Sequence, residues 1–170
     1  MARQFISPPD SGPTFGRYNK GLKTGNRIFL SGQVPFDADG TVVGAGDLDA
    51  QLSQIFRNTG RVLEEGGASF SDIAMTRVYT TNVMHYRDPV GEARSSHGVQ
   101  SSTATLAEVN SLVNPAFLME MSGIVHVGGE RETIAPDNVH PPRWPYVHGV
   151  RVDDTLYLSG QLGVDPKGNL

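Results

Sequence analysis

Residues 27–42 read "RIFLSGQVPFDADGTV", and residues 155–170 read "TLYLSGQLGVDPKGNL". A shift of 128 positions lays Leu30-Ser31-Gly32-Gln33 on Leu158-Ser159-Gly160-Gln161. The same shift pairs Ile6 with Ile134, Pro8 with Pro136, Pro13 with Pro141, Tyr18 with Tyr146, Gly21 with Gly149, Asp37 with Asp165 and Gly40 with Gly168. These are 11 identities over the ungapped 37 positions from 6 to 42, where unrelated segments would share about two or three. Two hairpins converging on similar turns would explain the Asp and Gly, but not the matched prolines and tyrosine. The sequence therefore divides into a complete unit over 1–127, a Pro/Gly-rich linker or arm over 128–145, and a partial second repeat over 146–170 that contains the opening hairpin. Either a tandem continuation or pairing of this hairpin with an existing sheet is expected, because a two-stranded hairpin alone is marginal in water.

Outward from residue 27, "LKTGNRIFLSG" gives two β-prone runs around Gly25-Asn26, and "VPFDADGTVVG" places Asp39-Gly40 at a second turn. Asp47 is an N-cap residue, and Leu48, Leu52, Ile55, Phe56, Val62 and Leu63 form one helical stripe that Gly66-Gly67 stops; the spacing predicts a helix over 47–65. "IAMTRVYTT" (73–81) reads as a strand, and "YRDPVGEARSSH" (86–97) as a short helix beginning near Pro89. "STATLAEV" (102–109) and "FLMEMSGIVHV" (117–127) are strands joined by a turn at Asn114-Pro115. This order predicts an α+β fold with helices packed on one face of a mixed sheet. The segment "GGERETIAPDNVHPPRWPYV" is too rich in glycine and proline to hold regular structure for long. Beyond it, Val150, Val152, Leu156 and Leu158 alternate with polar neighbours and are expected to share a face that a core covers.

Composition bounds the function. A chain of 170 residues holds one domain with a sizeable core and is short for two. The net charge of −4 and the pI near 5.7 offer little attraction to nucleic-acid phosphates, so a nucleic-acid partner is not expected. Cysteine is absent, which removes disulfides, thiolate metal sites and Cys nucleophiles together. No apolar stretch approaches the roughly 18 residues of a membrane helix, and "MARQFISPPDSGP" lacks a secretory apolar segment; a soluble, cytoplasmic protein is expected. The five histidines show no ligand spacing, so no metal site is expected.

Several ordered motifs carry a resemblance: Tyr18…Gly21, "LSGQVPFDADG", "GDLDAQ", "GGASFSDIAMTRVYTTN" and "NPAFLMEMSGIVHV". Over residues 6–127 they resemble the Rid family, the YjgF-type reactive-intermediate deaminases, and "PYVHGVRVDDTLYLSGQLGVDPKGNL" resembles the family's opening again. The resemblance implies a chorismate-mutase-like mixed sheet with two helices on one face, and a homotrimeric barrel with ligand pockets at subunit interfaces. It also implies hydrolysis of imines or enamines by water addition, with no cofactor and a small-molecule metabolite as partner. In that chemistry an arginine clamps the substrate carboxylate and an acidic side chain positions the water.

By the resemblance, Glu120 is the acidic catalytic residue and Tyr18 walls the site, while Ser31, Gly32, Ala104 and Thr105 contact substrate. Ala104 stands where the family's arginine belongs, and a methyl group cannot form the two charge-assisted bonds, each worth about 1.5–3 kcal/mol. Arg94, Arg143, Arg151 or His148 is expected to refill that role from the helix or the arm. A non-catalytic ligand-binding or regulatory trimer is the alternative to a hydrolase, and ribonuclease activity comes third.

Overall fold

The computed structural model describes residues 2–169. Its strands and helices run β1 (Arg3–Ile6), β2 (Gly21–Thr24), β3 (Arg27–Gln33), α1 (Leu48–Glu65), β4 (Ile73–Thr80), α2 (Val83–Ser96), β5 (Thr103–Glu108), β6 (Met119–His126), β7 (Arg131–Ile134), β8 (Gly149–Val152) and β9 (Thr155–Leu158). One sheet has six strands in the order β1-β2-β3-β6-β4-β5; the other has three in the order β7-β8-β9. Only β4 and β5 pair in parallel, and α2 supplies the crossover that a parallel pair requires.

The helices form as their residues dictate. The Asp47 side chain accepts from the Ala50 N–H and caps α1, and the buried stripe runs through Leu52, Ile55, Phe56, Val62 and Leu63. Helix α2 begins at Val83, three residues before the expected 86: Asn82 caps it through the His85 N–H, so Pro89 lies inside the helix. Both helices pack on one face of the large sheet, against Ile28, Leu30, Val78, Met119, Met121 and Val125, which gives the α+β architecture expected. A strand exposes alternate residues on opposite faces, so Ile124, between buried core residues of β6, turns the other way. There it meets Ala74 and Met75 together with Val150, Val152 and Tyr157 of the small sheet. The molecule is thus three layers: helices, large sheet, small sheet.

Three local expectations need correction. Strand β1 was not legible as a strand, whereas the 34–44 stretch forms only one isolated bridge, Phe36 with Val42. The arm contains β7, antiparallel to β8, because Arg131–Ile134 precedes its prolines and finds a partner strand. Leu156 and Leu158 do not share the covered face with Val150 and Val152. The pairing sets Val150 opposite Tyr157 and Arg151 opposite Leu156, so Tyr157 is buried at 6 % exposure while Leu156 and Leu158 stand at 53 % and 55 %.

The 128-residue shift that relates the two sequence stretches also relates the two sets of strand pairings. Arg3 pairs with Thr24 and Ile6 with Gly21, just as Arg131 pairs with Val152 and Ile134 with Gly149. Gly25 turns the first hairpin with φ 58°, and Asp153, its counterpart, turns the second with φ 51°; aspartate is among the few residues that tolerate this left-handed conformation.

Candidate functional site

A cavity of about 330 Å³ lies between α2, the β4–β5 edge of the large sheet, the arm and the segment after β9. Strands β4 and β5 contribute Val78, Ala104, Thr105 and Leu106; α2 contributes Arg87, Val90, Gly91 and Arg94 with Val83 and Met84. The arm and the segment after β9 close it with Trp144, Pro145, Tyr146, Gly160, Gln161 and Leu162. The loop bonds fix this closure. The Ala104 N–H donates to Ser159 Oγ at 3.0 Å, Gly160 N–H donates to the Ala104 carbonyl at 3.1 Å, and Val147 N–H donates to the Ser102 carbonyl at 3.3 Å.

The six sequence-predicted residues fall into two groups. Ala104 and Thr105 line this cavity. Tyr18 is half-exposed in the loop before β2 and borders a different cleft with Pro8, Pro13 and Lys20. Ser31 Oγ donates to the Asn19 carbonyl at 2.7 Å. Glu120 lies against Gly32, where a Cβ would stand 2.0 Å from Glu120 Oε1, so only glycine leaves the carboxylate room. The cavity walls contain none of these four; the places of three are taken by the residues 128 positions later, Tyr146 for Tyr18 and Gly160 for Gly32, with Ser159, the counterpart of Ser31, bonded to its rim. Sequence reasoning missed Arg87, Trp144 and Gln161 as cavity residues. The repeat itself signals Gln161 as the counterpart of Gln33; the other two had no repeat partner to mark them.

Two guanidiniums are the cavity's only charged groups among the described residues. Arg94 is 4 % exposed. Its Nε donates to the Pro145 carbonyl at 3.2 Å, Nη1 to Thr76 Oγ1, and Nη2 to the Val99 carbonyl at 3.1 Å and Ser102 Oγ at 3.0 Å. No carboxylate pairs with it among the described residues, and burial lowers its pKa to about 10. Arg87 is looser. Its Nε has no hydrogen-bond partner among the described residues, Asp88 lies 3.8 Å away, and its guanidinium stands 5.2 Å from the Trp144 ring centroid. Trp144 is pinned in turn, its Nε1 donating to Asp88 Oδ1 at 2.8 Å.

The other proposed substitutes lie elsewhere. Arg151 pairs with Glu132 through Nε at 2.9 Å on the exposed side of β8. Arg143 donates to His140 Nε2 at 3.4 Å, and both border a second cavity of about 340 Å³ together with His148. Burial raises the Glu120 pKa above the ordinary carboxylate value. Among the described residues no three His, Cys, Asp or Glu side chains gather as a metal site would require, and no helix is long and apolar enough to cross a membrane.

Two helices on one face of a mixed sheet, with a cavity beside its one parallel strand pair, define an α+β sandwich. The sequence model of the Endoribonuclease L-PSP family, the YjgF/Rid family, matches residues 10–127, and the chain belongs to that family. A RutC family protein of Pyrococcus abyssi is 29 % identical over 126 residues, spanning 74 % of this chain and 98 % of the relative. The crystal structure of the YjgF gene product from E. coli superposes with a TM-score of 0.64 at 25 % identity, covering 72 % of this chain and 98 % of that one. E. coli TdcF, solved with bound serine, superposes with a TM-score of 0.66 over 74 % of this chain and 99 % of its own; at 21 % identity this likeness speaks for the fold.

Proposed function

We propose that this chain is a Rid-family small-molecule-binding protein, and that its ligand is a metabolite with one anionic group and an apolar body. The cavity between β5, α2, the arm and the segment after β9 is the site. One observation carries the reading: the cavity is walled largely by apolar side chains, and its only charges among the described residues are Arg87 and Arg94. A buried cation without a carboxylate partner favours an incoming anion, since Coulomb attraction is strong where water is excluded. Arg94 has its donors engaged, so Arg87, whose Nε makes no hydrogen bond among the described residues and stands 3.8 Å from Asp88, makes the direct contact and takes over the role that Ala104 cannot fill. Among the described residues no carboxylate or imidazole lines the cavity to position a water, which favours binding over hydrolysis there.

Trp144 is the only tryptophan in the chain and lines the cavity, so its fluorescence reports occupancy. Titration with butanoate and benzoate should change it saturably, and the matched amides butanamide and benzamide should not. Equal response to acid and amide refutes the anionic ligand.

A second reading, water addition to an imine or enamine with Glu120 as the acid-base residue, draws on the raised pKa of Glu120 beside Gly32. Ammonia released from freshly generated 2-aminoacrylate by the wild type and not by Glu120→Gln would support it; no release by either would sink it. Ribonuclease activity, which the family description carries, is disfavoured by the net charge of −4.

A further inference from the structure

We infer that the second cavity binds the phosphate group of a small phosphomonoester, held by His140, Arg143 and His148. This space of about 340 Å³ shares Trp144, Tyr146 and Gln161 with the cavity that holds Arg87. Among the described residues its walls carry two imidazoles and a guanidinium but no carboxylate. Two nitrogen atoms are stranded: His140 Nδ1 and His148 Nε2 are closed off from solvent and have no hydrogen-bond partner among the described residues. Arg143 Nε donates to His140 Nε2 at 3.4 Å, so the neutral His140 ring carries its proton on Nδ1, the stranded atom. A buried donor without an acceptor is costly, and an anion supplies one. The Asp165 carboxylate does not. It lies in the turn that brings Gly168 against the His140 ring, where the Lys167 and Asn169 N–H groups and the Asn169 side-chain amide occupy it.

The basic groups are particular to the second copy of the repeat. Pro141, Tyr146, Gly160, Gln161 and Gly168 of the cavity repeat Pro13, Tyr18, Gly32, Gln33 and Gly40, so the frame is common to both copies. His140, Arg143 and His148 instead stand where the first copy has Gly12, Phe15 and Lys20. There each position serves packing or an internal bond. A Cβ on Gly12 would stand 2.6 Å from the Asp37 carbonyl oxygen, Phe15 packs on Phe36 with ring centroids 5.0 Å apart, and Lys20 Nζ donates to the Ser11 carbonyl at 2.9 Å. In the second copy Val164 replaces Phe36, and the ring pair gives way to a guanidinium beside open space. Donors on three residues suit the three terminal oxygens of a phosphate group better than the two of a carboxylate. The imidazoles meet it by turning about Cβ–Cγ, a soft torsion, and Trp144, Tyr146 and Leu162 offer the body of the ester an apolar wall.

The site stands whether or not the Arg87 cavity binds a carboxylate, and the test reads it separately. Phenyl phosphate, inorganic phosphate and acetate are titrated into the full chain by calorimetry, and the imidazole resonances are followed by NMR. Both phosphates are expected to bind saturably and more tightly than acetate, shifting the His140 and His148 resonances. Arg143→Phe, which installs the residue of the first copy, and His148→Gln should each weaken binding about 10-fold or more. The inference is overturned by no binding, by equal affinity for acetate, or by binding that leaves both imidazoles unshifted and survives Arg143→Phe, as a phosphate lodged beside Arg87 would do. Binding of inorganic phosphate with phenyl phosphate excluded overturns the ester. Should Arg143→Phe lose its circular dichroism, Arg143→Gln carries the same comparison.

Discussion

Ala104 has its backbone bonded on both sides to the C-terminal sheet, by Ser159 Oγ and Gly160 N–H, so a methyl group suffices where a long side chain would compete with Arg94 for the cavity floor. Arg87→Ala should weaken benzoate binding about 10-fold or more, the loss of one charge-assisted hydrogen bond, while leaving the thermal midpoint unchanged because Arg87 is half-exposed. Glu120 tests the electrostatics of the other group. Burial raises its pKa, so the folded state holds the proton more firmly than the unfolded one. Its contribution is fully present below the ordinary carboxylate value and is lost as pH rises through the raised value. Glu120→Gln should therefore melt higher than the wild type at pH 8, with the gap closing toward pH 4, as differential scanning calorimetry would show. The family resemblance singled out Glu120 and Gly32 separately, and the structure sets the two against each other. The split of the six residues into two places was not legible, because spacing along one chain does not say which copy of a repeated motif faces a given pocket wall.

Among the elements, α2 joins the most layers. Its Arg94 bonds to Thr76 on β4, to Val99 and Ser102 before β5, and to Pro145 of the arm. Arg94→Ala would remove all of these bonds at once, although the Val99 carbonyl would still accept from Ser102, and should cost about 2–3 kcal/mol in urea unfolding. By comparison Asp47→Ala, which removes only the cap of α1, should cost about 1 kcal/mol. Helix α1 was legible almost to the residue, since its stripe and cap agree. Helix α2 was misplaced at its start because Pro89 suggests a first turn, while the Asn82 cap, which decides the matter, lies seven residues earlier. The small sheet was misread for a related reason: alternation assigns faces within one strand, but the turn at Asp153 sets which face of β9 matches which face of β8.

In the whole molecule, several polar joints tie the two sheets, among them Arg131 on β7 donating to the Ile73 carbonyl and a buried histidine–tyrosine pair. His126 at the end of β6 is fully buried; Asn26 donates to its Nε2 at 2.8 Å, which leaves Nδ1–H to meet Tyr157 Oη at 3.0 Å. Burial lowers the His126 pKa, and the nearby Arg27 and Arg131 cations lower it further against the opposing pull of Asp153 and Asp154. The unfolded chain thus takes up a proton first as pH falls, so this stabilisation is complete above about pH 6.5 and drains away through the lower folded-state value. Amide exchange in β8 should quicken between pH 7 and pH 5, after correction for intrinsic rates, more than exchange in β3; His126→Gln should abolish the difference.

The outer side of that small sheet has a further consequence. Ile28 and Leu30 lie buried beneath α1, but among the described residues no helix covers their counterparts Leu156 and Leu158, which are more than half exposed. Such a strip makes the purified molecule adhesive: it should be retained on a phenyl column and brighten an aminonaphthalene dye while fully native. Lysines in place of Leu156 and Leu158 should shorten the retention and dim the dye without altering the melting point.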